Sequence, residues 1–178
     1  MILLALLVLA PVSTAQAPVV VAVADFVDDT VDGSRIGADR LSADLAQTLA
    51  RVAGGRMRVV PVDDVRAVMR ARSLRPADLV SPTRTQEVAQ AVGAQWVITG
   101  RWHALEMDVE VIILPNDTRR VQAHAWATLQ IRVFDAATRR VVLEDSFSGM
   151  SGGGSGSFML RLAAREALRR AALRLARL

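Results

Sequence analysis

A change in the spacing of apolar residues divides this chain at residues 87–102, EVAQAVGAQWVITGRW. Before this stretch, short apolar runs alternate with segments whose apolar residues follow a helical spacing, which predicts strands alternating with helices. After it, apolar and polar residues alternate over long segments, which is typical of antiparallel strands. The stretch itself predicts a short helix, a stop at Gly93 and a strand that belongs to both halves.

The first half of the chain predicts three strands with helices between them. The strands cover residues 18–26, 57–62 and 95–100. The first of them is a continuous apolar run, which suits a strand covered on both faces. The first helix has apolar residues at helical spacing and ends at a glycine pair: Ile36, Leu41, Leu45, Leu49, Val52 and Gly54-Gly55. Asp63 is predicted to cap the second helix, and Ser81 followed by Pro82 to begin the third.

The second half predicts an antiparallel meander, a linker and a helix. In its first strand Leu105, Met107, Val109 and Val111 alternate with acidic residues, up to a turn at residues 114–117. The inner face of the next strand comprises Val121, Ala123, Ala125, Ala127, Leu129, Ile131 and Val133. Its outward residues are Gln122, His124, Thr128, Gln130 and Arg132. The remaining segments are a returning strand over 140–148, a flexible Gly/Ser link over 149–157 and a helix over 158–178.

These elements predict an α/β fold built on a single sheet. An N-terminal βαβαα half adjoins a C-terminal antiparallel meander, helices pack on the sheet, and a C-terminal helix completes the domain. The chain has 178 residues, of which 52% are hydrophobic, which suits one domain with a real core. We assign residues 18–178 to this domain.

The N-terminal segment predicts export. Residues 2–12 are almost wholly apolar and are followed by small or polar residues, the pattern of a signal peptide. Because a bilayer span needs about 20 apolar residues, this run is too short to cross a membrane. We predict a signal peptide over residues 1–17, cleaved after Ala15 or Ala17, and a periplasmic protein. The alternative is a buried strand or an N-terminal helix.

The composition excludes several kinds of chemistry. All 22 basic residues are Arg, so the chain has neither the Lys of a P-loop nor an amine for Schiff-base chemistry. It has no Cys, which excludes disulfides, thiol nucleophiles, Cys-ligated zinc and a lipid anchor on the sequence given. Aromatic residues make up only 4% and the predicted location is extracytoplasmic, so we expect no nucleic-acid partner.

One motif suggests a hydrolase. Residues 149–153, GMSGG, match the G-x-S-x-G pattern of a nucleophile elbow and lie between a predicted strand and a helix. In α/β-hydrolases the acid and the histidine follow the serine, yet no His or Asp follows Ser151. We therefore interpret this segment as a linker, with a Ser151 hydrolase as the weaker alternative.

Two groups of polar residues suggest a metal site. Asp28, Thr30, Asp32 and Gly33 have the spacing of a calcium loop, but Asp39 then stands where such a loop has Glu. His103 and His124 are the two histidines, and adjacent strands would let them face each other without a third ligand. We interpret the first group as a turn and the second as polar residues on a sheet face. We thus name no catalytic, cofactor-binding or metal residue and expect no cofactor.

The final helix is basic and amphipathic. It carries six Arg against one acidic residue, Glu166. Its apolar stripe comprises Leu160, Ala164, Ala167, Leu168, Ala171, Leu175 and Leu178, with Leu162 and Leu173 on the opposite side. An Ala-rich stripe favours close packing on a sheet with a solvated Arg face. Contact with an anionic membrane surface is the alternative.

The order of these elements and several short motifs resemble the CsgG-like family of curli-assembly components. Related folds are the penicillin-binding-protein activator lipoproteins and the N-terminal domain of TolB. The matching segments are residues 19–26, the Asp-rich loop that follows, and residues 38–51, 57–70, 87–102 and 133–142. Arg139 stands where the family commonly has Gly. The match covers nearly the whole chain after residue 17.

The resemblance implies a periplasmic protein that is not an enzyme and that binds envelope proteins. Its role would lie in surface-protein export or cell-envelope assembly, and it could form a homo-oligomer. Because the best-known member forms an oligomeric outer-membrane secretion channel, a channel subunit is the alternative, motivated here by the hairpin of residues 105–130. Unlike that member, this chain has no lipidation Cys and no pair of long additional hairpins.

Overall fold

The computed structural model describes residues 17–30, 38–115, 119–153 and 156–178. The signal peptide predicted over residues 1–17 lies almost wholly outside these residues and stays a prediction. The strands are β1 (Val19–Val23), β2 (Val27–Asp28), β3 (Met57–Val59), β4 (Trp96–Ile113), β5 (Arg119–Asp135) and β6 (Arg140–Gly152). The helices are α1 (Ala38–Val52), α2 (Val62–Ala71), α3 (Pro82–Val92) and α4 (Gly156–Leu175), with a 3-10 turn at Pro76–Val80.

All six strands belong to one sheet in the order β3-β1-β4-β5-β6, and β2 pairs separately with β4. β1 pairs in parallel with β3 and β4, whereas β4, β5 and β6 form an antiparallel meander. β4 is therefore the strand that both halves share. This confirms the predicted α/β fold class and the role of residues 87–102 as the joint between its halves.

Two hydrophobic clusters lie on opposite faces of the sheet. The larger cluster packs α1 and α4 against β1, β4 and β5, with Trp102, Leu129 and Ile131 fully buried at its centre. The smaller cluster packs α2, α3 and the 3-10 turn against the parallel strands, and from β5 it contains only Phe134. On this second face, the described residues of β6 and the remaining described residues of β5 belong to neither cluster.

The ends of the helices agree with the predicted signals except at α2. Gly54, Gly55 and Gly93 all have positive φ angles, as expected where α1 and α3 end. Pro82 is the first residue of α3 and Ser81 is its N-cap, although the Ser81 side chain makes no capping hydrogen bond. The prediction that Asp63 caps α2 is wrong, since Pro61 occupies that position and Asp63 lies in the first turn. There its carboxylate contacts Arg66 at 3.3 Å.

A β-bulge in β4 joins segments that the sequence predicts as separate strands. Trp102 pairs with Leu129 and Ala104 with Thr128, so His103 is the extra residue. The bulge moves the buried face from even positions, ending at Trp102, to odd positions, beginning at Leu105. One continuous strand can therefore keep its apolar residues on one face of the sheet.

The flexible link predicted over residues 149–157 is wrong for its first part. Residues 149–152 are the last residues of β6, and Gly149 pairs with Ala127. Residues 154–155 lie outside the described part, and α4 begins at Gly156. Gly149 lies directly beneath α4, where an added β-carbon would be 2.0 Å from the Ala163 oxygen. Its lack of a side chain thus permits close helix-to-sheet packing.

The predicted apolar face of the β4–β5 hairpin is only partly buried. From Ala123 to Val133 the inner residues of β5 are buried beneath α4 and α1, as predicted. Beyond them the hairpin extends as a two-stranded ribbon, because β6 ends opposite His124. We call residues 109–113 and 119–123 the ribbon. The turn predicted at residues 114–117 lies partly outside the described residues.

Candidate functional site

A polar ladder crosses the face of the meander that no helix covers. It consists of His103 on β4, Gln130 and Arg132 on β5, and Glu144 on β6. Gln130 Nε2 donates to Glu144 Oε1 at 2.9 Å, and Gln130 Oε1 lies 2.9 Å from His103 Nε2. Because an ionised carboxylate only accepts, the Gln130 amide is oriented with its oxygen towards His103. His103 Nε2 is therefore the protonated ring nitrogen of this contact.

A cleft of about 110 Å³ lies between one end of this ladder and the 3-10 turn. Its lining comprises Val27, Pro76, Leu79, Val80, Thr99, Gly100, Arg101, Gln130, Arg132 and Glu144. Sites for drug-sized ligands and cofactors usually have volumes of roughly 300 Å³ or more. The cleft is thus too small for a nucleotide or a flavin and has room for a single small group.

Arg132 is the least satisfied charged group in the cleft. Its Nε is fully buried and makes no hydrogen bond, although Glu144 Oε2 lies 3.4 Å away. That distance joins opposite charges, but the contact lacks hydrogen-bond geometry. By contrast, Arg101 at the rim is paired with Asp29 through its Nη1. Arg132 therefore has spare hydrogen-bonding capacity beside an open cavity.

A second charged cluster connects the parallel strands to two helices. Asp25 follows β1, accepts a 2.6 Å hydrogen bond from Ser42 Oγ of α1, and receives Nε and Nη2 of Arg66 from α2. These hydrogen bonds to Asp25 raise the pKa of Arg66. Because the carboxylate is fully engaged by its neighbours, this cluster fixes the loop after β1.

The structure does not place Ser151 as a nucleophile. Its Oγ points to Met159 Sδ of α4 at 3.8 Å, so the hydroxyl faces the helix. In the strand register Ser151 lies opposite Ala125, whereas His124 lies opposite Gly152. A nucleophile elbow turns sharply from strand to helix. Ser151 instead continues a regular strand.

The predicted calcium-like loop is only partly described. Thr30 donates its N–H and its hydroxyl to Asp28 Oδ1, at 3.0 and 2.6 Å, and Asp29 pairs with Arg101. This is a local turn, as predicted. Asp32, Gly33 and the side chain of Asp39 lie outside the described residues. Within the described ranges, no group of three or more His, Asp or Glu side chains could hold a metal ion.

The two histidines do not face each other across β4 and β5. His103 lies at the bulge beside Thr128, while His124 pairs with Asp108. Four residues of strand separate Thr128 from His124, which corresponds to roughly 13 Å. The long strand and the bulge together explain why proximity in the sheet could not be predicted.

The Arg face of α4 is solvated and locally paired. Glu166 binds Arg169 and Arg170 at 2.9 Å, and the hydrogen bond from Arg169 is the main reason that its pKa falls to about 2. The predicted apolar stripe is buried up to Leu175, but Leu178 follows the helix and is exposed. Among the described residues, no helix is long and apolar enough to cross a membrane.

The ribbon carries the most concentrated exposed apolar surface of the described chain. Val109, Val111, Ile113 and Val121 are 49%, 54%, 66% and 64% exposed. All four lie on the face that packs against α4 nearer the domain body. Glu106, Asp108 and Glu110 occupy the opposite face, and Arg119 and Arg120 lie at the start of β5. The ribbon is therefore amphipathic, with an uncovered apolar side.

The edge of the sheet at β6 is partly occupied by its own side chains. The Ser146 N–H donates to Asp145 Oδ1 at 2.8 Å, and Arg170 of α4 donates to the Ser148 oxygen at 2.9 Å. Side chains that occupy edge groups oppose the addition of another strand. In the ribbon, β4 has no described partner on its other side beyond Trp102. The ribbon is thus the more open edge.

This arrangement defines a class of small α/β domains known from several bacterial proteins. Lipoprotein GNA1162 from Neisseria meningitidis is similar with a TM-score of 0.57 and 17% identity, over 87% of this chain and 99% of that one. The PelC dodecamer from Paraburkholderia phytofirmans gives 0.54 and 17%, over 90% and 89%. LpoB from E. coli gives 0.54 and 18%, over 77% of this chain and 58% of LpoB.

At these identities the likeness establishes a shared fold. It confirms, for the fold alone, the predicted relationship to the penicillin-binding-protein activator lipoproteins. No protein-family model and no curated protein sequence matches the chain.

Proposed function

We propose that this chain is a non-catalytic interaction protein of the bacterial envelope, acting in the periplasm in surface-protein export or cell-envelope assembly. The observation that carries the proposal is the uncovered apolar face of the ribbon. Exposed apolar residues that cluster on one face of an element mark contact surfaces, whereas scattered ones do not.

A partner on its apolar face would stabilise the ribbon. A two-stranded hairpin is marginally stable in water unless a third strand or a packed layer supports it. Complete burial of one Val or Ile side chain contributes about 1.5–3 kcal/mol, so burial of the exposed halves of four contributes roughly 4 kcal/mol. Association itself costs about 4 kcal/mol or more. A stable contact therefore also uses the open β4 edge, where backbone groups can accept a further strand.

The fold likeness supports an envelope location and protein partners. GNA1162 is named a lipoprotein, and PelC is described as a dodecamer. Carried over to this chain, these properties correspond to an envelope protein that assembles. A CsgG-like role, suggested by the sequence motifs, is the finer form of the same proposal.

Substitutions in the ribbon test the proposal. In the full chain expressed in a bacterial host, a photo-crosslinker at Ile113 is expected to give a discrete adduct in the envelope fraction. Val111→Asp should abolish the adduct, whereas Val142→Asp, at an exposed apolar residue of β6, should leave it unchanged. Equal adducts in both variants would overturn the role of the ribbon. Recovery in the cytosol with residues 1–17 intact would overturn the envelope location.

A subunit of an oligomeric outer-membrane secretion channel is the second candidate function. The ribbon, together with the dodecameric state of PelC, favours it. Light scattering of the purified chain in mild detergent distinguishes the two functions. A channel subunit should form a large closed assembly that Val111→Asp dissociates, while a monomer with and without detergent rules the channel out.

A further inference from the structure

The cleft under the 3-10 turn contains a partly buried guanidinium with unused donors. Arg132 has 29% of its side chain exposed, and its one ionic contact is the 3.4 Å approach to Glu144. Within the described chain, its terminal nitrogens make no hydrogen bond and, unlike Nε, are accessible to solvent. A desolvated donor without an acceptor costs about 1–3 kcal/mol, and more when charged. That cost belongs to the buried Nε, so an acceptor arriving from outside would bind the accessible terminal nitrogens instead.

The shape of the cleft limits that acceptor to a small group. A volume of about 110 Å³ equals the space of roughly three or four waters, at about 30 Å³ each. Val27, Leu79 and Val80 supply apolar walls, and Thr99 adds a hydroxyl that makes no hydrogen bond among the described residues. A planar anion on a short aliphatic stem matches these walls and the fork of Arg132.

The charges favour a monoanion over a phosphate. Glu144, which also lines the cleft, pairs with Arg132 Nε at 3.4 Å and repels a second negative charge. Arg101 is already paired with Asp29, so among the described residues of the cleft the terminal nitrogens of Arg132 are the available guanidinium donors. Arginine binds carboxylates through two parallel hydrogen bonds, for which one guanidinium suffices.

We propose that this cleft is a binding site for a single carboxylate, held by the terminal nitrogens of Arg132. The carboxylate belongs either to a small free acid or to an acidic side chain of a protein partner. The site lies on the opposite face of the sheet from the apolar side of the ribbon, and it does not depend on the proposed assembly function.

A titration with sodium propionate tests the site. In the full chain carrying Val111→Asp, which removes the ribbon as a contact surface, amide NMR shifts of Thr99 and Val80 are expected to saturate with propionate. Sodium chloride at equal ionic strength and neutral propionamide should give no saturable shift. Saturation with propionamide, or none with propionate, overturns the proposal while leaving the envelope function untouched.

Two sets of variants assign the binding to Arg132. Arg132→Gln should weaken propionate binding at least tenfold, and equal affinity would overturn the assignment. If Arg132→Gln fails to fold, Val80→Glu serves instead, since Val80 is half-exposed at the rim and its replacement carries a carboxylate into the cleft. Val80→Glu should abolish binding, whereas Val80→Gln should retain it. Binding that survives Val80→Glu contradicts the proposal.

The source of the carboxylate is distinguished by a second probe. N-acetyl-glutamate N-methylamide presents the same group on a peptide backbone. Binding at least tenfold tighter than propionate identifies an acidic side chain of a protein, while equal or weaker binding identifies a small free acid. Loss of binding of both probes in Arg132→Gln is expected in either case.

Discussion

Gly149 of β6 lies so close to Ala163 of α4 that a β-carbon on the glycine would be 2.0 Å from the alanine oxygen. The same atom would be 2.7 Å from the backbone nitrogen of Ala167. Both obstacles are backbone atoms in a helix, which cannot rotate away. This contact fixes how close α4 comes to the meander and makes the glycine a packing residue.

Gly149→Ala is therefore expected to destabilise the domain by about 3 kcal/mol, at the upper end of the effects of overpacking. For a domain of this size, the melting temperature should fall by on the order of 10 °C. Thermal unfolding followed by circular dichroism measures the change. Gly152→Ala is the matched control, because its nearest obstacle is the His124 side chain at 3.2 Å. Equal losses in both variants would contradict the packing role.

The same glycine shows why the sequence predicts the fold but not the close packing of α4 on β6. Five Gly and three Ser in residues 149–157 have the composition of a linker, and composition does not reveal a helix packed on top. The predicted order of strands and helices is nevertheless correct, because it depends on the long periodic segments and not on residues 149–157. Close approach between backbones leaves no periodic signal, so it could be found only in three dimensions.

Gly100 makes room for an aromatic side chain. A β-carbon there would lie 2.7 Å from the Phe26 ring, which packs edge-on against Trp102 at a centroid distance of 6.3 Å. The Phe26 ring occupies the space that a side chain would need, which explains why glycine stands here. Gly100→Ala should cost about 2 kcal/mol. In a Phe26→Leu background the cost should fall by about 1 kcal/mol, measured in a double-mutant cycle by urea unfolding. Additive losses would show that the ring is not the obstacle.

The bulge at His103 sets which residues of β4 reach the core. Deletion of His103 would remove the extra residue and leave a regular strand in which Trp102 and Leu105 still face the core, because successive strand residues alternate faces. We expect the deletion variant to keep cooperative thermal unfolding. His103→Ala keeps the extra residue and should change stability by less than about 1 kcal/mol. Loss of cooperative unfolding in the deletion variant would mean that the extra residue itself, and not only the alternation of faces, is required. The change of parity is visible in the sequence, so this bulge could have been predicted.

The cleft could not have been found in the same way. Alternation places Gln130 and Arg132 on the outward face, as the structure confirms. Their neighbour Glu144 depends on the register of β6, which a second bulge opposite Val133 and Phe134 shifts by one residue. The roof is a five-residue 3-10 turn, too short to produce a periodic pattern. The site thus combines one predictable face with two features that only tertiary structure supplies.

Glu166 makes the stability of α4 depend on pH in the acid range. Its two Arg partners lower its pKa from 4.5 to about 2, so the folded state holds the charged carboxylate more strongly than the unfolded chain does. The resulting stabilisation is fully present above pH 4.5 and is lost as the pH falls through about 2. Since the pairs are on the surface, their contribution should be no more than about 1 kcal/mol.

Glu166→Gln should therefore lower the melting temperature slightly at pH 7, and its melting temperature should converge with that of wild type near pH 2. Glu87→Gln, which removes the exposed pair with Arg84, is the control and should lower the melting temperature at pH 7 less than Glu166→Gln does, because Glu87 has one Arg partner and Glu166 has two. A wild-type advantage that persists at pH 2 would show that Glu166 stabilises α4 through contacts other than its charge.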